Sequence, residues 1–175
     1  SEHHGAELAR QLLLEASSPG LVDAVLQLSV AAGSDQHARL HSQLRDLFAF
    51  ADGRFLDSIF FVLPQLTLSL QDALLPYLKR EGAQRPELFA AQFPEASLEL
   101  SLTLIDVLSN LDGVAVRDAI ASASASPHPL ARIQALGHIE GASSERLRKE
   151  LGSLLGDPDE GVRIAVLKAM SSHQI

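Results

Sequence analysis

The amino-acid sequence predicts an all-α chain: a short α-solenoid of antiparallel helix pairs, about nine to eleven helices in all. Three observations predict it. Apolar residues recur at helical spacing almost throughout, while β-hairpin signals are almost absent. Gly and Pro, set beside Ser or Asp, punctuate the chain at intervals of one helix. Near the C-terminus two segments superpose with a shift of 31 residues.

Taken in order, Glu7 to Ala16 carries Leu8, Leu12 and Leu13 on one helical stripe. A turn at Ser17-Ser18-Pro19-Gly20 follows, with Ser18 as N-cap and Pro19 at the first helical position. The second helix runs from about Leu21 to Ala31 and buries Val22, Val25 and Leu26, with Val30 a further candidate. Gly33 ends it, Ser34 caps the third, and Leu40, Leu44, Leu47 and Phe48 form the third helix's apolar stripe. Asp52-Gly53 is the next break.

Phe55 to Leu63 is apolar on nearly every face, so it must be covered on two sides, and Pro64 kinks or ends it. Leu66, Leu68 and Leu70 alternate as a strand would, but they lack a partner strand and run into helical Leu74, Leu75 and Leu78. They read as a connection entering a helix. A short helix near Leu88 to Phe93 is bounded by Pro86 and Pro94. Leu98 to Leu111 reads as one long helix, with Leu98, Leu102 and Ile105 on one side and Leu100, Leu104, Val107 and Leu111 on the other.

The repeat sets Pro127 to Leu136 on Pro158 to Leu167, each preceded by a helix, Gly113 to Ser124 and Ser144 to Leu155. A two-helix unit recurring at this spacing is the sequence sign of an α-solenoid. The run Leu151 to Met170, with Leu154-Leu155, Asp157-Pro158 and Val162-Arg163, resembles a HEAT repeat. The likeness is strongest there, fair over Asp112 to Glu140 and weak upstream. It implies a right-handed, armadillo-like solenoid with two HEAT-like repeats over 112–173 and divergent helical pairs over 1–111, in a single domain 1–175. Its pattern also places an Asp in the turn and an Arg six residues later, as in Asp157 and Arg163. Upstream Arg132 is kept, but Ser126 stands where the Asp belongs. The resemblance implies that these residues bridge adjacent repeats, which makes their role structural.

Composition narrows function. There is no cysteine, which excludes disulfides, thiolate metal sites and thiol catalysis and fits a reducing cytoplasm. No apolar run is long enough to span a bilayer, so no membrane insertion is expected. The net charge of −8 has the wrong sign for nucleic-acid binding, and eleven acids stand against seven bases on either side of Leu88. Lysine is used three times among fourteen basic residues, a bias towards a GC-rich bacterial source. The start at Ser1-Glu2-His3-His4-Gly5 and the stop at Ile175, directly after a helical pattern, read as a domain excised from a longer protein.

No catalytic, cofactor-binding or metal-binding set emerges. His37 and His41 share a helical face, but no third ligand is in register, and zinc needs three or four. Serines lack a nucleophile-elbow context, and the eleven glycines form no phosphate-cradling loop. The expectation is therefore a non-enzymatic protein-binding scaffold of the kind found in bacterial cell-organisation and cytoskeletal proteins, with no cofactor. Its partner is a protein, basic or a second copy. The alternative is a small-molecule or chromophore-handling protein like the HEAT-type bilin lyases.

Surface is where function must lie. The HEAT resemblance puts Leu130 to Ile139 and Gly161 to Met170 on the concave side, with Arg132, Gln134, His138, Glu160 and Lys168 as exposed contacts. Phe60 and Phe61 are adjacent and do not share one buried face, so either is a candidate if exposed. Between Arg85 and Arg117 there is no base at all, and acids such as Glu95 and Glu99 make that stretch a candidate for a basic partner.

Overall fold

The computed structural model describes residues 19–31 and 37–173. The helix expected over Glu7–Ala16, the caps at Ser18 and Ser34 and the break at Gly33 lie outside the described residues. Among the described residues the regular structure is ten α-helices and three short 3-10 turns, with no strand. The chain groups into two compact units, one ending at Leu78 and one beginning at Lys79. That division falls inside a helix and upstream of the change in repeat character read from sequence at residue 112.

The first unit holds α1 (Pro19–Ala31), α2 (His37–Ala49), α3 (Leu56–Val62) and the start of α4 (Leu68–Gln84). The Asp52-Gly53 break becomes a 3-10 turn over Gly53–Phe55, because the Asp52 carboxylate accepts from the Arg54 backbone N–H at 3.1 Å and from its Nε at 2.7 Å. In and beside α3, Phe55, Leu56, Ile59, Phe60, Val62 and Leu63 are all buried, which covers more than one face as the apolar run requires. Pro64 then stops the helix in a 3-10 turn, Leu63–Gln65. Gln71 Nε2 donates to the Leu63 and Leu66 carbonyls, both at 3.0 Å, and so satisfies the turn that Pro64 creates.

The alternation of Leu66, Leu68 and Leu70 resolves as an extended residue followed by a helix start. Leu66 and Leu70 are buried, and Leu68 faces water. Helix α4 continues through Pro76, whose ring is exposed while Ala73, Leu74, Tyr77 and Leu78 are buried on the other side. Burial of those side chains, at about 1.5 to 3 kcal/mol for a large one, offsets the backbone hydrogen bond that proline removes. The Tyr77 ring lies 5.1 Å from Phe48, which meets Phe55 edge-on at 6.2 Å.

The second unit contains α5 (Pro86–Ala90), α6 (Leu98–Ser109), α7 (Val114–Ala121), α8 (Pro129–Leu136), α9 (Ser144–Leu154) and α10 (Glu160–His173). Proline opens α5 and α8, and the Ser97 and Ser143 hydroxyls cap α6 and α9. Neighbours alternate along the chain. Helix α7 packs on α5 and α9, whereas α8 packs on α6 and α10; successive helices α6–α7, α7–α8 and α9–α10 also touch. The long helix α6 buries Leu100, Leu104, Ile105, Val107 and Leu108 together, so Leu104 and Ile105 share one broad buried stripe, while Leu98 and Leu102 stay half-exposed at its edge. Gly82, near the end of α4, packs closely here, since a Cβ there would meet the Leu111 side chain at 3.1 Å.

Candidate functional site

Two polar seams order the second unit. In the first, Arg132 of α8 donates Nη1 to the Ser126 carbonyl and Nη2 to Asp157 Oδ1, both at 2.8 Å. The two side chains are 8% and 6% exposed, so this is a buried ion pair joining segments 25 residues apart. Asp157 also accepts from the Asp159 N–H at 2.9 Å. Burial pushes the Asp157 carboxyl up, but the Arg132 hydrogen bond, the Asp159 N–H and the charges of Arg132 and Arg163 outweigh it and hold the group below its ordinary value. Arg163 donates Nη1 to the Asp157 and Pro158 carbonyls, at 2.8 and 3.1 Å, and does not bind the Asp157 carboxylate.

The second seam joins α7 to α9. The Asp118 carboxylate accepts from the backbone N–H and hydroxyl of Ser143, at 2.8 and 3.1 Å. Arg146 donates to the Ser122 hydroxyl and pairs with Glu150 at 3.2 Å, and Ser124 donates to Glu150. Both seams therefore tie helices to one another and are structural, although Arg132 Nε and Arg146 Nε are buried without a hydrogen-bond acceptor. Among the described residues no cluster of three or more His, Asp or Glu side chains could hold a metal ion.

A cleft of about 260 Å³ beside Asp118, Ser122 and Arg146 belongs to the second seam, and two further clefts lie away from both seams. One, of about 390 Å³, lies between α1 and α3 and is lined by Asp23, Leu26, Gln27, Asp57, Ser58, Phe61 and Val62. Phe61 is 70% exposed at this cleft, while Phe60 is buried. Two carboxylates and no base line it. The other, of about 470 Å³, lies between α8 and α10 and brings Glu140 and Lys168 together with Ile133, Leu136, Ala165 and Ala169.

Of the candidates read from sequence, Lys168 lines that second cleft, Glu160 is exposed, and Gln134 and His138 are half-buried on α8 or directly after it. Arg132 is a correction: it is 7% exposed and cannot meet a partner, because its guanidinium is spent on Ser126 and Asp157. Glu95 and Glu99 are exposed. His41 is half-buried; His3 and His4 lie outside the described residues.

Sequence reading missed Asp118 and Ser143 as a pair, and it missed Asp23 and Asp57 facing one cleft. Only the first had a signal: Ser143 is an N-cap, and a cap's own N–H needs an acceptor. The second depends on how α1 packs on α3. Comparison of the chain with protein-family models, with curated proteins and with solved structures returns no match.

Proposed function

We propose that this chain is a protein-binding scaffold module built of HEAT-like antiparallel helix pairs, the second unit forming a short right-handed α-solenoid. Support for the solenoid reading comes from the alternating neighbours in the second unit and from polar seams that recur at 24 to 26 residues between successive pairs. No described helix is long and apolar enough to cross a membrane. A cytoplasmic, bacterial setting and the absence of an enzymatic role belong to the same reading.

One observation carries the binding role: a phenylalanine 70% exposed at the rim of a cleft lined by two aspartates and no base. An exposed aromatic in a chain that buries its other α3 aromatic is the chemistry of an interface anchor. Asp23 and Asp57 favour a partner that brings Lys or Arg beside an apolar side chain.

Affinity capture from the source organism with the wild-type chain and Phe61→Ser, compared by quantitative mass spectrometry, tests the reading. Loss of an anchor costs about 2 kcal/mol, roughly thirty-fold in Kd. The expected result is a protein whose retention falls sharply on Phe61→Ser while the helical circular dichroism of the variant is unchanged. A capture that enriches no protein, or enriches the same proteins with both chains, rules the proposal out.

A further inference from the structure

Helix α8 has a neighbour on either side, α6 and α10, and touches α7 as well. Its buried residues are Ala131, Arg132, Ala135 and Leu136. Leu130, Ile133 and Gly137, at i, i+3 and i+7, form the stripe on the opposite side, where Ile133 and Gly137 also wall the α8–α10 cleft. Leu130 is 59% exposed, Ile133 half-exposed and Gly137 exposed, so this outer stripe carries no charge. On α6, 31 residues earlier, the same stripe reads Glu99, Leu102 and Asp106; on α10, 31 residues after Gly137, it ends in Lys168. Both acids stay exposed although helix pairs follow α6, so continuing the array does not cover the stripe. Among the described residues the Glu99, Asp106 and Lys168 side chains make no ion pair, whereas Arg132 with Asp157 and Arg146 with Glu150 do. An uncharged stripe flanked by two free acids on one side and a free base on the other is a surface with a lateral charge polarity.

We propose that this surface binds an amphipathic helix of a partner protein, laid along α8. Large apolar side chains of that helix meet Leu130 and Ile133, basic residues lie on its α6 side and an acidic residue on its α10 side. Gly137, without a side chain, lets the two helices approach. Packed helix axes stand about 8 to 10 Å apart, so Lys or Arg on the flank of a helix over α8 reaches α6. The two acids of α6 are seven residues apart, about 10 Å along the axis. Bases seven apart on a partner helix lie on one flank at that same spacing. A β-strand covers the distance in three residues and points its two bases to opposite faces, so it serves only one of the acids. A second copy presenting the same surface brings one base, Lys168, for two acids, and a net charge of −8. The surface belongs to the second unit alone and does not involve Phe61.

Fluorescence anisotropy of the full chain tests the proposal, with a labelled helical peptide of about 20 residues as probe. The peptide carries a leucine stripe, two arginines seven apart on one flank and a glutamate on the other. Binding in the range of tens of micromolar is expected. Leu130→Asp, and separately the double variant Glu99→Lys with Asp106→Lys, should each weaken it at least tenfold. A peptide of the same pattern interrupted by two prolines, and one with glutamate on both flanks, should not bind. The substituted positions are exposed, so helical circular dichroism should not change. Phe61→Ser should bind the peptide as the wild type does, which separates failure of this surface from failure of the α1–α3 cleft. Absence of binding at about 1 mM peptide, indifference to Leu130→Asp or to the charge reversal on α6, or equal binding of either control peptide overturns the proposal. So does a wild type that sediments as a dimer which Leu130→Asp dissociates, since the occupant is then a second copy.

Discussion

Replacing Asp157 with alanine removes the acceptor that holds Arg132 and uncaps the Asp159 N–H. Both partners are more than nine-tenths buried, so the guanidinium is left desolvated without a counter-charge, with only the Ser126 carbonyl beside it. Breaking a buried pair in this way costs about 3 to 5 kcal/mol. The double variant Arg132→Met with Asp157→Ala removes the stranded charge and should recover a large part of that loss, because the desolvation penalty goes with the charge. Urea denaturation followed by circular dichroism gives the free energies, and hydrogen exchange resolved to α8 and α10 shows that the loss is local to that seam. The pH dependence has a definite sign. Asp157 titrates below its ordinary value when folded, so its contribution is present above the unfolded carboxyl pKa of about 3.9 and disappears as pH falls through the folded value. Wild type and Asp157→Ala should therefore differ in full near neutrality and converge in acid. A loss below about 0.5 kcal/mol, the spread of ordinary surface substitutions, or a loss that stays constant into strong acid would refute the buried-pair account.

Three further substitutions test local physics, one in the first unit and two in the second. Tyr77 is 1% exposed and donates its hydroxyl to the Asp52 carbonyl at 2.7 Å, so Tyr77→Phe should cost about 1 to 2 kcal/mol with the aromatic packing intact, read from the exchange of α2 and α4 amides. Gly113 and Gly152 both have open space where a Cβ would go, yet only Gly113 has a positive φ, 121°. Gly113→Ala should destabilise by about 1 to 3 kcal/mol, and Gly152→Ala, inside α9, should stabilise by up to about 1 kcal/mol; thermal melts of opposite sign check the pair.

Helix identity was legible because it depends on local spacing. The stripe of Leu40, Leu44, Leu47 and Phe48, the stop at Pro64 and the start at Pro86 each act within one turn of the chain. The outward phenylalanine was not, since a segment apolar on every face has no dominant direction. A weaker signal was present. Asp57, Phe61 and Gln65 are four apart, so Phe61 lies on the stripe of the two polar residues, and all three are exposed. Arg132 is a different case. The resemblance placed it among the residues that bridge repeats, and only its second reading as an exposed contact on the concave helix falls, because its guanidinium is buried against Asp157, 25 residues downstream.

The upstream limit of the repeat shows what residue matching overlooks. Ser101 of α6 approaches Ser126 with the two hydroxyl oxygens 3.5 Å apart, and both are buried. Adding 31 to each position gives Arg132 and Asp157, so this is the same contact one repeat earlier with a different chemistry. The apolar positions keep the same register: Leu100, Ala131 and Val162 are buried, as are Leu104, Ala135 and Val166. A lone serine facing the long Arg132 arm, or a lone arginine facing Ser126, would leave a buried polar group without a partner, at about 1 to 3 kcal/mol or more when charged. Changing both sides to short hydroxyls avoids that cost and also lets α6 carry leucines where α8 carries alanines. The period therefore resides in paired positions and not in residue types, so the register continues into α6 although the likeness in residue types weakens upstream of Asp112.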